Sequence, residues 1–380
     1  MIRRPAPLLL RLYHRCSQPS HSQCEDSVEA ILANHEKKIQ KLSGQLINEH
    51  VIHLRETTQW RKQIEPSIKD VFQVYRKHKF HPLIVGSAMT GLADPSKGSD
   101  VDVVLYTSKE EDVLDRSRLS ITSNPAHSTA VLNGALRKLQ KSGIKFRLTS
   151  MYSKIKYPIM KLLISNKQKP FTMEISVDSV VHARNSLFVR HCVQMDKRVT
   201  MLYQWVQQWL RTCDLYGSSR GKFSSYHTIL LVIHFLQYTE HSDMKPVLPV
   251  MLERYPHHLS AGIPFPEIYD IVSKSTMPVD YKPGKNDNKM QIGELVVRFV
   301  DFYSRVNLHD FALDVSSGKN IERLDEDYDR INLVDPYSAG ISVCRMNGAA
   351  GQLSASCELT KHAFSLGRGL SLPLSFTGSH

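Results

Sequence analysis

Two aspartates separated by one valine, Asp100 and Asp102, are the residues from which chemistry is read first. They lie in the stretch 84–105, IVGSAMTGLADPSKGSDVDVVL. Leu83, Ile84 and Val85 read as a buried strand, and Val103, Val104 and Leu105 close a second one. Between them come Gly86-Ser87, a small-residue loop with Gly91 and Gly98, and Ser99. Residues two apart on a strand point to the same face, so the two carboxylates project side by side while Val101 turns into the core. Adjacent carboxylates repel each other and lose solvation. A divalent ion such as Mg²⁺, which takes hard oxygen ligands and accompanies phosphates, removes that cost. The Gly86-Ser87 turn offers backbone N–H groups and a hydroxyl that suit phosphate oxygens. An Asp-x-Asp pair or a Gly-Ser turn alone is common. Strand, turn, SDVD and strand in this order form a specific signal.

A third carboxylate follows from alternation. Phe171, Met173, Ile175 and Val177 alternate with Thr172, Glu174, Ser176 and Asp178. Glu174 therefore sits on the polar face of a half-buried strand. Beside the aspartate pair it would complete a two-metal site and accept the proton of an attacking hydroxyl.

These strands need elements to hold them. From Glu25 to about Lys77, Ile31, Leu32, Ile39, Leu42, Leu46, Ile47, Val51, Ile52 and Leu54 recur at helical spacing. A second helix is expected over 64–75, with Pro66 in its first turn. A loop from Ser108 and a helix over 130–141 precede two strand-like runs in KFRLTSMYSKIKYPIMKLLISN. Downstream, Val199, Leu202, Val206, Trp209 and Leu210 form one helical stripe, and FSSYHTILLVIHFLQY reads as a buried helix capped by Ser224 or Ser225. Tyr226 at its start is either a core residue or a ring offered to a base, and the segment alone favours the core. PVLPVMLERYP is a short proline-bounded element, and IGELVVRFVDFYSRV is an amphipathic helix. From Asn347 the chain is rich in Gly, Ser and Ala, a composition expected of a disordered tail.

With 49 Lys plus Arg against 37 Asp plus Glu the chain carries +12, which favours a polyanionic partner. Its 380 residues suffice for two or three domains. Six scattered cysteines, without any C-x-x-C, read as reduced thiols and exclude a zinc ribbon or a disulfide framework. No apolar run approaches the ~20 residues of a membrane span. Residues 1–22 hold four arginines and no acid, the composition of a mitochondrial presequence or of a basic flexible N-terminus.

The 84–105 signature resembles that of the DNA polymerase beta nucleotidyltransferase superfamily, G-S-x-x-x-G then S-D-x-D, with a slightly longer spacer. Further segments narrow the resemblance. SVVHARNSLFVR, SSYHTILLVIHFLQ, VLPVM, IGELVVRFVDFYS and DPYSAGISVCR follow in the order found in cytoplasmic poly(A) polymerases and terminal uridylyltransferases, over about 41–345. The chain looks most like the germline-type cytoplasmic poly(A) polymerase subfamily.

The resemblance implies an α/β + α bilobal nucleotidyltransferase that adds AMP from ATP to RNA 3′ ends, the alternatives being a terminal uridylyltransferase or a catalytically weakened homologue acting as a scaffold or binding subunit. A basic N-terminus (1–24) and a helical arm (25–77) would precede a small mixed-sheet palm (78–180). A larger helical domain (181–345), with a PAP-associated segment from about 290, would close the cleft ahead of a tail (346–380). Asp100, Asp102 and Glu174 map onto the catalytic and metal-binding carboxylates. Gly86, Ser87, Arg211 and Ser225 map onto phosphate contacts, and Tyr226 onto base stacking. Mg²⁺ or Mn²⁺, a nucleoside triphosphate with ATP preferred, and an RNA 3′ end are the implied ligands. No RNA-binding module is legible in the sequence, so a separate RNA-binding protein is expected to deliver substrate. The implied location is cytoplasmic, with the mitochondrion as the alternative that residues 1–22 suggest. The sequence departs from the family at three places. Glu174 replaces an Asp, Gln207 replaces a triphosphate-binding Lys in VQQWL, and Ser342 stands for a loop Asn, with Ile341 beside it. Loss of that lysine removes a charge-assisted contact of roughly 1.5–3 kcal/mol, which Arg211 one turn on partly replaces.

Overall fold

The computed structural model describes residues 27–98, 100–108, 125–155, 158–165, 169–284, 287–323, 326–338 and 341–376. The basic N-terminus and Ser99 lie outside these residues, as does the start of the loop expected after Ser108. The chain divides into two compact units. One holds Ile52–Gln194 and Met251–Lys282; the other holds the chain up to Val51, Met195–Val250 and the chain from Pro283.

The first unit is built on a five-stranded mixed sheet of order β1-β2-β5-β4-β3. Its strands are β1 (His81–Val85), β2 (Val101–Tyr106), β3 (Phe146–Tyr152), β4 (Ile159–Ile164) and β5 (Phe171–Val177). β2 and β5 run parallel, and the remaining neighbours are antiparallel. One face carries Val101, Val103, Met160, Leu162, Met173 and Ile175, all fully buried. Against them lie Leu132, Ala135 and Leu139 of α4 (Pro125–Gln140) and the C-terminal half of the long helix Glu36–Lys77. The small mixed sheet expected of a palm is thus present.

Helix α1 (Val28–Asn34) is followed by α2, which runs unbroken through Glu36–Lys77. The sequence favours a fresh start at Pro66, yet Pro66 lies inside the helix. A proline there removes one backbone hydrogen bond and costs about 3 kcal/mol. Burial of Trp60, Ile64, Ile68, Val71, Phe72 and Tyr75 in the sheet's core offsets it. At ~1.5–3 kcal/mol per buried large apolar side chain, six of them outweigh one lost bond. The unit also contains α3 (Gly86–Thr90), α5 (Val180–Met195), the short α8 (Met251–Arg254) and α9 (Pro256–Leu259), and α10 (Phe265–Lys274). Phe265 lies 4.5 Å from the buried Tyr106 ring.

The second unit is largely helical. It contains α6 (Arg198–Thr212), α7 (Ser225–Gln237), α11 (Ile292–Arg305) and α12 (Ala349–Ser365), with a three-stranded sheet β7-β6-β8. The sheet is formed by β6 (Phe311–Asp314), β7 (Lys319–Glu322) and β8 (Leu333–Val334), strands the sequence did not announce. The expectation of a disordered tail is overturned. Leu353, Cys357, Thr360 and Phe364 recur at helical spacing and are all buried. Thr360 Oγ1 accepts from Trp209 Nε1 at 2.9 Å, and Lys361 pairs with Asp301 at 2.7 Å. Gly and Ala at the start of α12 lower its hydrophobicity, so composition hid a helix that tertiary burial stabilises. Gly293 has a similar packing reason. A Cβ there would meet the Ile39 carbonyl oxygen at 2.4 Å, and its N–H donates to Ser43 Oγ at 3.0 Å.

Candidate active site

Strand register places three charged side chains in one transverse row on the polar face of the first sheet. Asp102 on β2 is the partner of Glu174 on β5, and Glu174 is the partner of Lys161 on β4. Partners across a ladder share a face. The apolar neighbours Val101, Met173 and Met160 turn into the core. Asp100 stands just before β2. Lys161 Nζ lies 2.7 Å from Asp100 Oδ2 and 2.6 Å from Glu174 Oε1, with the three side chains 27–30% exposed. Asp100, Asp102 and Glu174, predicted separately, are thus gathered on one surface. Lys161 was not foreseen. The alternation in IMKLLI puts it on a polar face, but only the order of β4 and β5 puts it beside Glu174.

Burial pushes the Asp102 carboxyl up to about 7, and the nearby charges of Glu174 and then Asp100 push in the same direction. The positive charge of Lys161 opposes them. Gly86 lets this carboxylate sit where it does. Its φ is +65°, and a Cβ at that position would stand 2.2 Å from Asp102 Oδ2. The Gly86 N–H donates to Ser186 Oγ at 2.8 Å, and the Ser186 hydroxyl donates to the His182 carbonyl at 2.6 Å. The first amide of the turn is therefore engaged by the protein, and Gly86 serves by making room. Ser87 follows it at the start of the single-turn α3, whose Ala88 carbonyl accepts from the Arg61 guanidinium.

Three carboxylates make a hard-oxygen donor set of the kind that Mg²⁺ and Mn²⁺ take. In donor chemistry the site fits a divalent ion. Among the described residues no group of three His, Cys, Asp or Glu converges on a single metal position. The ammonium of Lys161 stands where Asp100 and Glu174 approach each other.

Two of the predicted nucleotide contacts of the second unit, Arg211 and Ser225, meet at a residue the sequence did not single out, Tyr216. Ser224, not Ser225, caps α7: its hydroxyl accepts from the His227 N–H at 3.1 Å, and its own N–H donates to His227 Nδ1 at 3.2 Å. This leaves Ser225 exposed, its Oγ 2.7 Å from Tyr216 OH. Gln207 Nε2 donates to Tyr216 OH at 2.9 Å and to Tyr203 OH at 3.0 Å. The Arg211 guanidinium lies over the Tyr216 ring, 4.1 Å from its centroid. Arg211, Ser225 and Gln207 thus share one tyrosine. Tyr226 is half-buried and donates to Asp335 Oδ2 at 3.2 Å, and burial together with this carboxylate pushes its phenol well above the ordinary value. Ser342 is occupied in the backbone turn, accepting from Leu333 N–H and donating to the Ile331 carbonyl, while Ile341 beside it is exposed.

The mixed sheet carries the carboxylate row on its polar face. Residues 38–194 match the family described as poly(A) RNA polymerase, mitochondrial-like, central palm domain. The chain is 23% identical over 287 residues to poly(A) RNA polymerase GLD2-A of Xenopus laevis, covering 74% of this chain and 50% of that protein. It spans about half the length of that relative. Among solved structures it resembles the GLD-2/RNP-8 complex, with TM-score 0.61 and 21% identity over 86% of this chain and 93% of the other. It also resembles mtPAP in complex with UTP, with TM-score 0.63 and 17% identity over 87% and 69%. The chain is thus similar in sequence to poly(A) RNA polymerase GLD2-A, and its fold is like that of the solved GLD-2 and mtPAP chains.

Proposed function

We propose that the protein is an RNA 3′-terminal nucleotidyltransferase that adds AMP from ATP. The observation that carries this reading is the register of Asp102 with Glu174, with Asp100 two residues away on the same polar face. The reaction is in-line attack of an RNA 3′-hydroxyl on the α-phosphorus of the nucleotide, with release of pyrophosphate. Mg²⁺ or Mn²⁺, held by Asp100, Asp102 and Glu174, would supply Lewis acidity to the attacking hydroxyl and charge to the leaving group. The chain itself positions the carboxylates: Val101 and Val103 lock β2 into the core, and Gly86 admits Asp102. Glu174 accepts the proton of the attacking hydroxyl. Ser87, Arg211 and Ser225 hold phosphate oxygens, and the ring of Tyr226 stacks on the base.

Preference for ATP over UTP rests on Ile341, which offers no side-chain hydrogen bond to a base edge. One such contact separates two bases by only ~1–3 kcal/mol. Use of UTP is the second reading, supported by the solved relative that carries UTP. A relative solved with a bound protein, RNP-8, supports delivery of RNA by a separate protein here. Cytoplasmic action belongs to the same reading; the mitochondrial alternative rests on residues 1–22, outside the described residues. The test is extension of a short RNA with each nucleotide in Mg²⁺ and in Mn²⁺. Incorporation of AMP that Asp102→Ala abolishes supports the proposal. No incorporation with any nucleotide refutes it, and better use of UTP moves the assignment to the second reading.

A further inference from the structure

We propose that Lys161 is the resident counter-cation of the carboxylate row, and that a divalent ion enters only by displacing its ammonium. The inference rests on the reading of Asp100 and Glu174 as cation ligands. The Lys161 ammonium is held almost equally by Asp100 Oδ2 and Glu174 Oε1, at 2.7 and 2.6 Å. It therefore occupies the point from which one cation reaches both carboxylates. A divalent ion ligating the same oxygens at about 2.1 Å would stand within van der Waals contact of the ammonium. Two cations so close repel strongly in a half-buried site, so the two occupants exclude each other. Asp102 lies outside this bridge: Lys161 acts on it through its field alone.

The arrangement follows from the sheet. β4 and β5 are antiparallel, and Lys161 and Glu174 are directly opposed, so the lysine reaches the row with its backbone fixed. Lys161 keeps its apolar neighbours Met160 and Leu162 in the core, so displacement requires only its side chain to turn. The glutamate contributes as well. Its extra methylene, relative to an aspartate, carries its carboxylate further from β5. The consequence is a row whose Asp100–Glu174 pair is partly neutralised without metal, and which binds metal weakly until the lysine leaves.

Mn²⁺ binding to the metal-free full-length protein, followed by the electron paramagnetic resonance signal of free Mn²⁺ without nucleotide, tests this. Lys161→Met is expected to bind Mn²⁺ about tenfold or more tightly than wild type, since a competing like charge is gone. Affinity equal to or weaker than wild type overturns the proposal, because the lysine would then be positioning ligands and not competing. Should Lys161→Met fail to fold, the wild type decides. Acylation of Lys161 by acetic anhydride, read by mass spectrometry, is expected to accelerate severalfold as Mn²⁺ saturates; unchanged or slower acylation overturns the displacement. Mn²⁺ binding to neither protein overturns both this proposal and the cation-site reading. Binding to wild type without tightening in the variant overturns this one alone.

Discussion

On the sheet unit, Asp102, Glu174 and Lys161 are neighbours because backbone hydrogen bonds between strands make them so. In the helical unit, Gln207, Tyr216, Ser225 and Arg211 meet only through side-chain contacts, across the turn between α6 and α7. The first arrangement survives the loss of any one side chain, since the strands still place the others. The second is held by the tyrosine at its centre, so removing one hydroxyl loosens several partners at once. A substitution in the row should therefore act on the chemical step, and one in the network on nucleotide affinity.

Asp102→Ala tests the row most severely. Extension should fall to background while the melting temperature holds or rises, because a carboxylate that burial and like charges disfavour is removed. Retained extension in this variant would end the assignment of the row. Gly86→Ala comes next. Its Cβ would force Asp102 to move, and displacement of a catalytic group by ~1 Å costs roughly 10²-fold in rate. The measurement is kcat with nucleotide saturating, and an unaltered kcat would show that the Asp102 position seen here is not the working one.

The network and its surroundings make weaker, separable claims. Phe364→Ala should cost about 3–5 kcal/mol in urea unfolding, because the ring is fully buried in the helical unit. A cost below ~1 kcal/mol would return α12 to the status of a loosely attached tail. Tyr216→Phe removes hydrogen bonds to Gln207 and Ser225, each worth about 0.5–1.5 kcal/mol. The KM for nucleotide should rise severalfold with kcat little changed, and a change confined to kcat would erase the distinction between the two regions.

The smallest effect concerns pH. The Asp102 carboxyl is raised from its ordinary value to about 7, so the metal-free folded state holds a proton there that the unfolded chain has released. Its contribution therefore lowers stability progressively as pH rises from about 4 to about 7, and the full penalty remains above. Asp102→Asn should stabilise the metal-free protein by roughly 1–3 kcal/mol at pH 8 and by much less at pH 4. A gain of the same size at both pH values would assign it to packing and not to charge.

The sequence by itself determined which residues of the sheet strands are polar and which are core. Strand periodicity is local, so Asp100 and Asp102 could be assigned to one face of their strand, and Glu174 to the polar face of its own; that the two strands adjoin was only implied by the family resemblance. The glycine of the Gly-Ser turn was visible too, although its task was not: the clearance between Gly86 and Asp102 depends on how β1 and β2 pair. Tertiary structure decided what depended on distant segments. Lys161 is thirteen residues from Glu174, and nothing local announces that β4 lies beside β5. Tyr216 became central only when its hydroxyl met Gln207 from one helix and Ser225 from the next. Pro66 stayed inside a helix, and a Gly- and Ala-rich tail became one, because burial against a core outweighs local propensity and composition does not record what a segment packs against.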